Sequence, residues 1–272
     1  MRCSICKKEA VIYREHEGRA LCRRHFLDSV DKSVRKSIRR NGLLPRGSHV
    51  AVGVSGDNDS MLLLYLLCRL NEKRCDLKIS AILADEGIRG YRKKMVPAIE
   101  KYCKFQGIRL YRVSYMDVFG MTLDEVAGKL KDKNADMCAC CQVLRMIALN
   151  RKAEAIGAAD CIALGCNMDD EVQAITAGYF SCDIMPEMGS LFKFVKEQPH
   201  SLRIIKPLAE VPENEAALYA RLKGFYVEPK KCPYWHTSFG RKIGDMLDNL
   251  ETKHSGVKFN ILRTHEKIEQ LL

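Results

Sequence analysis

Cysteine and histidine residues near the N-terminus have the spacing of metal ligands. Four of them form two pairs, each with a two-residue gap, and 15 residues separate the pairs: Cys3 and Cys6, then Cys22 and His25. Each such pair can hold one side of a tetrahedral ion, and the intervening segment can fold back as a hairpin that turns between Arg14 and Gly18. Because residues 1–27 offer too little core to fold without a crosslink, the spacing predicts a structural zinc site; the alternative is reduced side chains in an ordinary loop.

A second group of cysteines offers three thiolates around an open position. Cys138 and Cys141 form a Cys-x-x-Cys pair that we place in a loop directly before a helix, where the helix N-terminus favours the thiolate. Cys232 follows far downstream, and Cys140 is a further neighbour. Three thiolates leave one position free on a metal or cluster, as a catalytic site requires. These residues alone are compatible with zinc, an iron–sulfur cluster, a redox disulfide or buried structural cysteines.

A third group, residues 55–60, joins a strand to a helix in a way that suits phosphate. Val50 to Val54 are small and β-branched, which predicts a buried strand, and residues 61–70 are apolar at helical spacing. Asp57 to Ser60 can cap that helix, whose N-terminus presents free N–H groups and a partial positive charge. The spacing of a Walker A loop is absent. The alternative to a phosphate-binding turn is an ordinary turn between a strand and a helix.

The order of the predicted elements indicates how these groups are positioned. Strands and helices alternate between residues 49 and 210. The predicted strands are 50–54, 77–83, 108–113, 161–164 and 203–208, and the predicted helices are 61–70, 91–106, 121–130, 142–156 and 169–179. Such alternation predicts a parallel sheet with helices on both faces. Ligands bind these sheets at the carboxyl ends of strands, where the turns at 55–60 and 165–170 fall.

The flanking segments differ from this region in composition. Residues 28–48 predict a basic helix and a linker, and residues 211–272 predict a helical region that carries Cys232. No clear period is visible at 179–201. The net charge is +11 and the pI about 9.0, which favours a polyanionic partner such as RNA or DNA. The alternative is a solvated basic surface.

Composition also limits where the protein works. The longest apolar run, Met61 to Cys68, is too short to span a bilayer, and the first residues lack the apolar stretch of a signal peptide. The 13 cysteines do not suggest a disulfide framework. We therefore expect a cytoplasmic protein without membrane association.

These motifs resemble those of the tRNA 2-thiolation enzymes, the TtuA family and its wobble-uridine relatives, within the PP-loop ATP pyrophosphatase superfamily. Ser55-Gly56-x-x-Asp59-Ser60 is similar to the superfamily's Ser-Gly-Gly-x-Asp-Ser loop. Cys138-x-x-Cys141-x-x-x-Arg145 is similar to the family's Cys-x-x-Cys-Gly-x-x-Arg/Lys element. Other similar segments run in family order across nearly the whole chain: the N-terminal metal site and residues 85–92, 165–171, 206–208 and 232–234.

The resemblance implies a fold, a reaction and a set of cofactors. It implies a parallel-sheet PP-loop ATPase domain of the HUP type at 49–210, preceded by a zinc module at 1–27 and the basic helix and linker at 28–48, and followed by the helical region at 211–272. It implies an ATP-dependent tRNA sulfurtransferase that forms 2-thiouridine through an adenylated tRNA. The implied cofactors are ATP, Mg²⁺, Zn²⁺ and an iron–sulfur cluster of the [4Fe-4S] type.

The resemblance also implies a role for individual residues. Cys138, Cys141 and Cys232 would hold the iron–sulfur cluster, while Arg145 and Asp169 fall at the basic and acidic catalytic positions of the family. The residues that would bind ATP, through side chains or backbone, are Val54, Ser55, Gly56, Asp59, Ser60, Leu83 and Gly165. Among these, Asp59 is the one suited to position magnesium or phosphate.

The implied partners are tRNA, a sulfur source and a second copy of the chain. The sulfur source would be a ubiquitin-like carrier with a C-terminal thiocarboxylate, or free sulfide. The sequence departs from the family at Asp57, where a second Gly is usual, and at Cys166, where a His is usual. Two alternative functions are a non-catalytic RNA-binding scaffold and a tRNA 2-thiocytidine synthetase; the N-terminal zinc pattern argues against the second.

Overall fold

A five-stranded parallel sheet forms the centre of the computed structural model, which describes residues 1–92, 95–130, 136–157, 159–180, 202–228, 232–235 and 238–271. The strands are β3 (His49–Val54), β4 (Lys78–Asp85), β5 (Arg109–Ser114), β6 (Cys161–Ala163) and β7 (Arg203–Ile205). Their order is β5-β4-β3-β6-β7, and every pairing is parallel. The predicted parallel sheet is confirmed. Strands β4 and β5 are added on one side of β3 and strands β6 and β7 on the other, so the strand order reverses between β3 and β6, where such sheets bind ligands.

Ten α-helices surround this sheet in the described residues. They are α1 (Arg23–Arg40), α2 (Asn58–Arg74), α3 (Val96–Phe105), α4 (Tyr115–Phe119), α5 (Leu123–Leu130), α6 (Met137–Ala155), α7 (Met168–Phe180), α8 (Glu213–Lys223), α9 (Phe239–Lys253) and α10 (Val257–Glu269). The predicted helical C-terminal region is confirmed by α8 to α10. No helix in these ranges is both long and apolar enough to cross a membrane.

Alternation along the central strand produces two core layers. Val50, Val52 and Val54 pack in the layer that contains α1, α2 and α8, whereas Ala51 packs in the layer that contains α6. Successive strand side chains point to opposite faces, so the run from 50 to 54 needs apolar residues at every position. A smaller third cluster joins α7 to α9 and α10.

The N-terminal segment is a hairpin stapled to the first helix. Strands β1 (Ile12–Arg14) and β2 (Arg19–Leu21) pair antiparallel. The predicted turn lies between them, as a one-turn 3₁₀ helix at residues 15–17 that ends at Gly18 with φ +60°. This positive φ is readily adopted by glycine.

The basic helix α1 begins at Arg23, earlier than the predicted segment at 28–48. Phe26 is fully buried and belongs to the main core, so α1 carries the end of the metal segment and part of the core on one helix. The division of the chain at residues 27 and 28 therefore falls inside a continuous helix.

The predicted start of α6 was wrong. The sequence placed Cys138 and Cys141 in a loop before a helix starting at 142, but α6 begins at Met137 and they lie in its first turn. Asp136 explains the difference, because its carboxylate accepts hydrogen bonds from the backbone N–H groups of Cys138 (2.9 Å) and Ala139 (3.1 Å). Other boundaries that differ by three or more residues are those of α2, which runs from Asn58 to Arg74, the start of α3 at Val96 and the end of β7 at Ile205. Most of the aperiodic stretch at 179–201 lies outside the described residues.

Candidate active site

The turn between β3 and α2 satisfies its polar groups internally. Asp57 caps α2: its carboxylate accepts the N–H of Ser60 at 2.9 Å and the hydroxyl of Ser55 at 2.5 Å. The hydroxyl oxygen of Ser60 accepts the N–H groups of Ser55 and Gly56, each at 3.2 Å. Donors that could hold a phosphate at this helix N-terminus are thus occupied by the Asp57 carboxylate and the Ser60 hydroxyl.

Close packing brings the other predicted nucleotide-binding residues to this turn. Val54 and Leu83 are register partners at the ends of β3 and β4. A Cβ on Gly165, directly after β6, would lie 2.7 Å from the backbone nitrogen of Ser60, so only glycine permits this approach. Gly56 has φ +83°, and a Cβ there would lie 2.7 Å from the Cβ of Met95. Three strand ends therefore converge on one turn.

Two carboxyl groups lie beside the turn, those of the half-buried Asp59 and the exposed Asp170. Burial, together with the charges of Asp57 and Asp170, raises the pKa of Asp59 to about 8. Desolvation of its carboxylate, together with the charges of Glu213 and Asp57, raises the pKa of Asp170 to about 7. Asn167 donates a hydrogen bond to one oxygen of Asp59 at 3.2 Å, and the other, Oδ1, is buried without a hydrogen-bond partner among the described residues. An orphaned carboxylate oxygen in an acidic pocket fits a hard cation such as Mg²⁺.

Replacing Asp59 with asparagine is expected to flatten the pH dependence of stability. The native carboxyl keeps its proton up to about pH 8, whereas the unfolded chain releases it near 3.8. The free energy of unfolding therefore falls as pH rises through this range, by up to about 1.4 kcal/mol per unit from this group. Urea unfolding at about pH 6 and about pH 8.5 measures the slope. Equal slopes in both proteins would contradict the assignment.

Two of the predicted cluster cysteines, Cys138 and Cys141, lie at the start of α6, and the segment that follows Cys232 contacts this helix. The Cys138 thiol donates to the carbonyl of Tyr234 at 3.5 Å, which ties the segment that follows Cys232 to the helix. Burial, the carboxylate of Asp136 and the neighbouring Cys232 and Cys141 raise the pKa of Cys138 to about 11. Cys138 is thus within electrostatic range of the other two thiols, and a set of three thiols is the donor type that an iron–sulfur cluster with one open iron requires.

Tyr115 fixes the position of Cys141. The tyrosine is fully buried, and its hydroxyl donates to the backbone carbonyl of Cys141 at 2.8 Å and lies 3.5 Å from the Cys141 sulfur. Cys140, the unplaced neighbour in the sequence motif, is half-buried, and burial raises the pKa of its thiol. Cys141 thus has a second support that its neighbour lacks.

Glu86 joins the nucleotide turn to the thiols. It is 1% exposed and accepts hydrogen bonds from Arg92, whose Nη1 also donates to the carbonyl of Ser55 at 2.6 Å. Its Oε1 also pairs with Nη2 of Arg145 at 3.0 Å, and the same nitrogen lies 3.6 Å from the sulfur of Cys141. One carboxylate therefore connects the two halves of the site through two guanidinium groups.

The charges in this bridge hold each other ionised. Burial works against the charge of Glu86, but the hydrogen bond from Arg92 and the charge of Arg145 lower its pKa overall. Burial likewise opposes the charge of Arg145, and Cys141 and Glu86 outweigh it and raise the pKa of the guanidinium. Sequence reasoning assigned no role to Glu86 or Arg92, although both lie in the segment 85–92 that follows a predicted strand end.

Asp169 is engaged elsewhere. Its carboxylate pairs with Lys258 on α10 and accepts the backbone N–H of Glu213 at 2.7 Å, at the start of α8. Its neighbour Asp170 is the residue whose charge acts on Asp59. Adjacent residues on a helix point in different directions, which explains why one faces the site and the other the C-terminal helices. The catalytic role predicted for Asp169 stays a prediction.

Cys166 lies among charged groups beside the turn. Burial, together with the charge of Asp170, raises the pKa of its thiol to about 12, while the charge of Lys206 opposes this increase. Cys166 is half-buried, and its thiol is therefore neutral at physiological pH.

The N-terminal ligands converge as predicted. Their ligand atoms all lie within 4.8 Å of one another: Cys3, Cys6, Cys22 and His25. The sulfur of Cys3 is 3.3 Å from Nδ1 of His25, and the sulfurs of Cys6 and Cys22 are 3.6 Å apart. Partial desolvation opposes ionisation of Cys3, but backbone N–H groups, that of Ile5 foremost, lower its pKa to about 5. Three sulfurs and one ring nitrogen at these distances fit a closed tetrahedral zinc site.

Comparison with known families finds two matches that together span most of the chain. A family described as "2-thiouridine synthetase TtuA, N-terminal LIM domain" matches residues 2–27. A second, described as "PP-loop domain", matches residues 27–228, more than half of the chain.

Individual relatives match over the full length. The chain is 33% identical over 283 aligned residues to the tRNA 2-thiolation protein NcsA of Haloferax volcanii, with 100% of this chain and 88% of the relative covered. It is 29% identical to the tRNA-5-methyluridine(54) 2-sulfurtransferase of Pyrococcus horikoshii, with 100% and 84% covered. Among solved structures, the U34-tRNA thiolase NcsA from Methanococcus maripaludis with its [4Fe-4S] cluster matches with a TM-score of 0.85 and 32% identity, with 100% and 88% covered.

Proposed function

Because the chain belongs to the family of PP-loop tRNA 2-thiolation proteins, we propose that it is an ATP-dependent sulfurtransferase that forms 2-thiouridine in tRNA through an adenylated tRNA. The observation that carries this proposal is the Glu86 bridge, which connects the nucleotide turn to the three-cysteine group through Arg92 and Arg145. An enzyme that activates a base with ATP and then delivers sulfur to it needs these two sites side by side.

The turn at 55–60 binds the ATP phosphates in this proposal. Backbone N–H groups at the start of α2 and the hydroxyls of Ser55 and Ser60 are its donors. Gly165 and the backbone at Val54 and Leu83 line the adenosine. Asp59 would hold Mg²⁺, which offsets phosphate charge when it is bound.

Arg145 and Arg92 stabilise negative charge between the two halves of the site. Replacing a uridine oxygen with sulfur requires that oxygen to leave, and adenylation makes it a leaving group. Arg145 cannot exchange its proton at neutral pH, so its role is electrostatic. Because Glu86 fixes both guanidinium groups before the substrate binds, their positions need little reorganisation during the reaction.

Cys138, Cys141 and Cys232 hold the iron–sulfur cluster in this proposal. When bound, a three-cysteine [4Fe-4S] cluster supplies one open iron at which sulfur can be presented. Tyr115 holds the backbone of Cys141 in place, and Asp136 caps the helix that carries Cys138 and Cys141. These residues fix two of the thiols on one rigid helix.

The remaining partners are also proposals. We propose tRNA as the substrate, a ubiquitin-like thiocarboxylate carrier or sulfide as the sulfur donor, a homodimer as the assembly, and the cytoplasm as the location. Relatives named for nucleotide 34 and for nucleotide 54 both match this chain, so the test must map the modified position.

The proposal predicts thiolated tRNA from a reconstituted reaction. Protein purified without oxygen and loaded with its cluster receives unmodified tRNA, ATP, magnesium and sulfide, and digested tRNA is analysed by mass spectrometry. We expect 2-thiouridine only with ATP. Cys138→Ala is expected to abolish the product, whereas Cys140→Ala, which removes a neighbouring half-buried thiol, is expected to retain it. ATP-independent product, or full activity of Cys138→Ala, would overturn the proposal.

The occupied turn favours one second candidate, a non-catalytic RNA-binding scaffold. The carboxylate of Asp57 already takes the donors of Ser60 and Ser55, and it places a negative charge where phosphate would bind. A scaffold would bind tRNA without binding ATP, whereas the proposed enzyme binds both.

Asp57→Gly is expected to tighten ATP binding by about tenfold, because it frees two donors and removes a repulsive charge. Asp57 has φ −76°, an ordinary backbone angle that glycine also adopts. Replacing an N-cap residue with glycine lowers helix stability by only a few tenths of a kcal/mol. Isothermal titration measures the affinity. Asp57→Ser is the matched control because it keeps a cap without the charge. An affinity unchanged in both variants would contradict the inhibitory role of this carboxylate.

A further inference from the structure

A basic groove lies between α1 and the end of α2, away from the candidate active site. Its floor is formed by Ile38, Leu44 and Leu70, and its volume is about 970 Å³. Helix α2 begins at the nucleotide turn and ends at Arg74, and its 17 residues span about 25 Å. The groove is therefore at the amino edge of the main sheet, while the turn is at the carboxyl edge.

Six exposed cations line the walls of this groove, and none forms an ion pair within the described ranges: Lys32, Arg35, Lys36, Arg39, Arg46 and Lys73. A seventh, Arg74, pairs with Asp76 at 2.8 Å, and Asp76 is the acidic residue of the lining. Seven cations less one carboxylate leave a charge of +6, out of +11 for the whole chain. More than half of the excess charge is thus concentrated in one groove.

The helix geometry keeps these charges in a row. Lys32, Arg35, Lys36 and Arg39 follow the i, i+3, i+4, i+7 pattern on the exposed side of α1. The opposite side of α1, with Val30, Val34 and Ile38, is buried in the core, and this burial prevents α1 from rotating about its own axis. The row is about 10 Å long, and Arg46 and Lys73 belong to the neighbouring segments of the lining.

We infer that this groove binds the phosphate backbone of the tRNA at a distance from the modified nucleotide, an inference that rests on the proposed function. Lysine and arginine contacts to phosphate supply affinity to nucleic acids without reading sequence. An acidic protein partner fits less well, because protein interfaces centre on exposed aromatic and apolar anchors. No aromatic or methionine side chain lines the groove in the described residues, and Ile38 and Leu44 are buried.

The groove thus provides a second binding site for the tRNA substrate, at a distance from the nucleotide turn. A tRNA that reaches it while presenting a base at the nucleotide turn must span at least about 25 Å, the length of α2. A folded tRNA meets this requirement, whereas a mononucleotide or a short single-stranded fragment of a few residues does not. The groove therefore favours intact tRNA over fragments that carry the same target uridine.

A triple variant tests the groove: Lys36→Gln, Arg39→Gln and Lys73→Gln. We expect binding of unmodified tRNA at about 50 mM salt to weaken at least tenfold. The slope of log Kd against log salt should fall by about 2.7, or about 0.9 for each lost phosphate contact. Fluorescence anisotropy across several salt concentrations measures both quantities, and ATP affinity should not change.

The matched control removes three exposed cations elsewhere: Lys101→Gln, Lys104→Gln and Arg109→Gln on α3 and β5. It changes the net charge equally and is expected to bind tRNA within about twofold of wild type. Equal behaviour of the two triple variants would overturn the groove assignment. Unchanged tRNA binding with lost binding to anionic lipid vesicles, or to an acidic sulfur carrier, would also overturn it in favour of that partner.

Failure of the inference can be told apart from failure of the proposed function. If wild type and both variants bind and thiolate tRNA equally, the groove assignment fails and the enzyme proposal stands. If wild type binds no tRNA, both fail.

Discussion

Glu86→Gln is expected to lower the rate of tRNA thiolation at least 100-fold and to destabilise the protein by about 3 kcal/mol or more. The carboxylate is 1% exposed and neutralises Arg92 and Arg145 together. Glutamine keeps the volume but leaves two guanidinium groups without a counter-charge, and unpaired charges in such places are strongly destabilising. The guanidinium groups that contact the carbonyl of Ser55 and the thiol of Cys141 are then no longer held in place by one carboxylate.

The effect on function must be separated from the effect on folding. Urea unfolding measures stability, and thiolation is measured at a temperature where circular dichroism shows the variant folded. The control is Glu100→Gln, which breaks an exposed pair with Arg112 and should cost less than about 1 kcal/mol. Glu86→Asp should recover part of the activity, because the charge returns at a shorter reach. Full thiolation by folded Glu86→Gln would refute the bridging role.

Loss of the N-terminal metal is expected to have the largest effect on stability. We expect about one zinc ion per chain, and Cys22→Ala should lose it. Structural zinc binding is worth about 10–16 kcal/mol in small zinc-binding peptides, comparable to the whole stability of a typical domain. Cys22 directly precedes α1, and the adjoining Leu21 and Phe26 belong to the main core, so disorder at the metal site should spread beyond residues 1–27.

Metal analysis and thermal unfolding test this prediction together. A chromophoric chelator reports the zinc released, and Cys75→Ser serves as the control because Cys75 is exposed and outside the site. The control should retain zinc and melt like wild type. A Cys22→Ala protein with full zinc content, or with an unchanged melting temperature, would exclude a structural role for this metal.

Local patterns were enough to predict much of the fold and the ligand groups. The pairs Cys3/Cys6 and Cys22/His25 predict their site because the ligand spacing alone determines how a tetrahedral ion is reached. The apolar run at 50–54 predicts a central strand because a short, β-branched apolar run that begins and ends at turn residues is typical of a strand buried on both faces. Both signals lie within short segments of the sequence, residues 3–25 and 50–54.

Features that depend on tertiary neighbours could not be predicted in this way. The bridging role of Glu86 needs β4 beside β3 and α6 packed over them, and no local pattern specifies those neighbours. The start of α6 was misplaced because cysteines are weak helix formers, and the N-cap residue Asp136 is the signal that indicates the true start. Whether Asp169 or Asp170 faces the turn depends on the exact phase of α7, which boundary prediction does not reach.

The ion pair between Arg14 and Glu215 has a consequence for the folding of the chain during translation. The two side chains are 11% and 5% exposed and join residues 201 positions apart. Translation at about 5–20 residues per second separates their emergence from the ribosome by about 10–40 s. During that interval Glu215 cannot support the hairpin that carries Arg14. Zinc at the four-ligand site would hold the hairpin on the nascent chain during that interval, so we expect the yield of correctly docked protein to depend on zinc supply during synthesis.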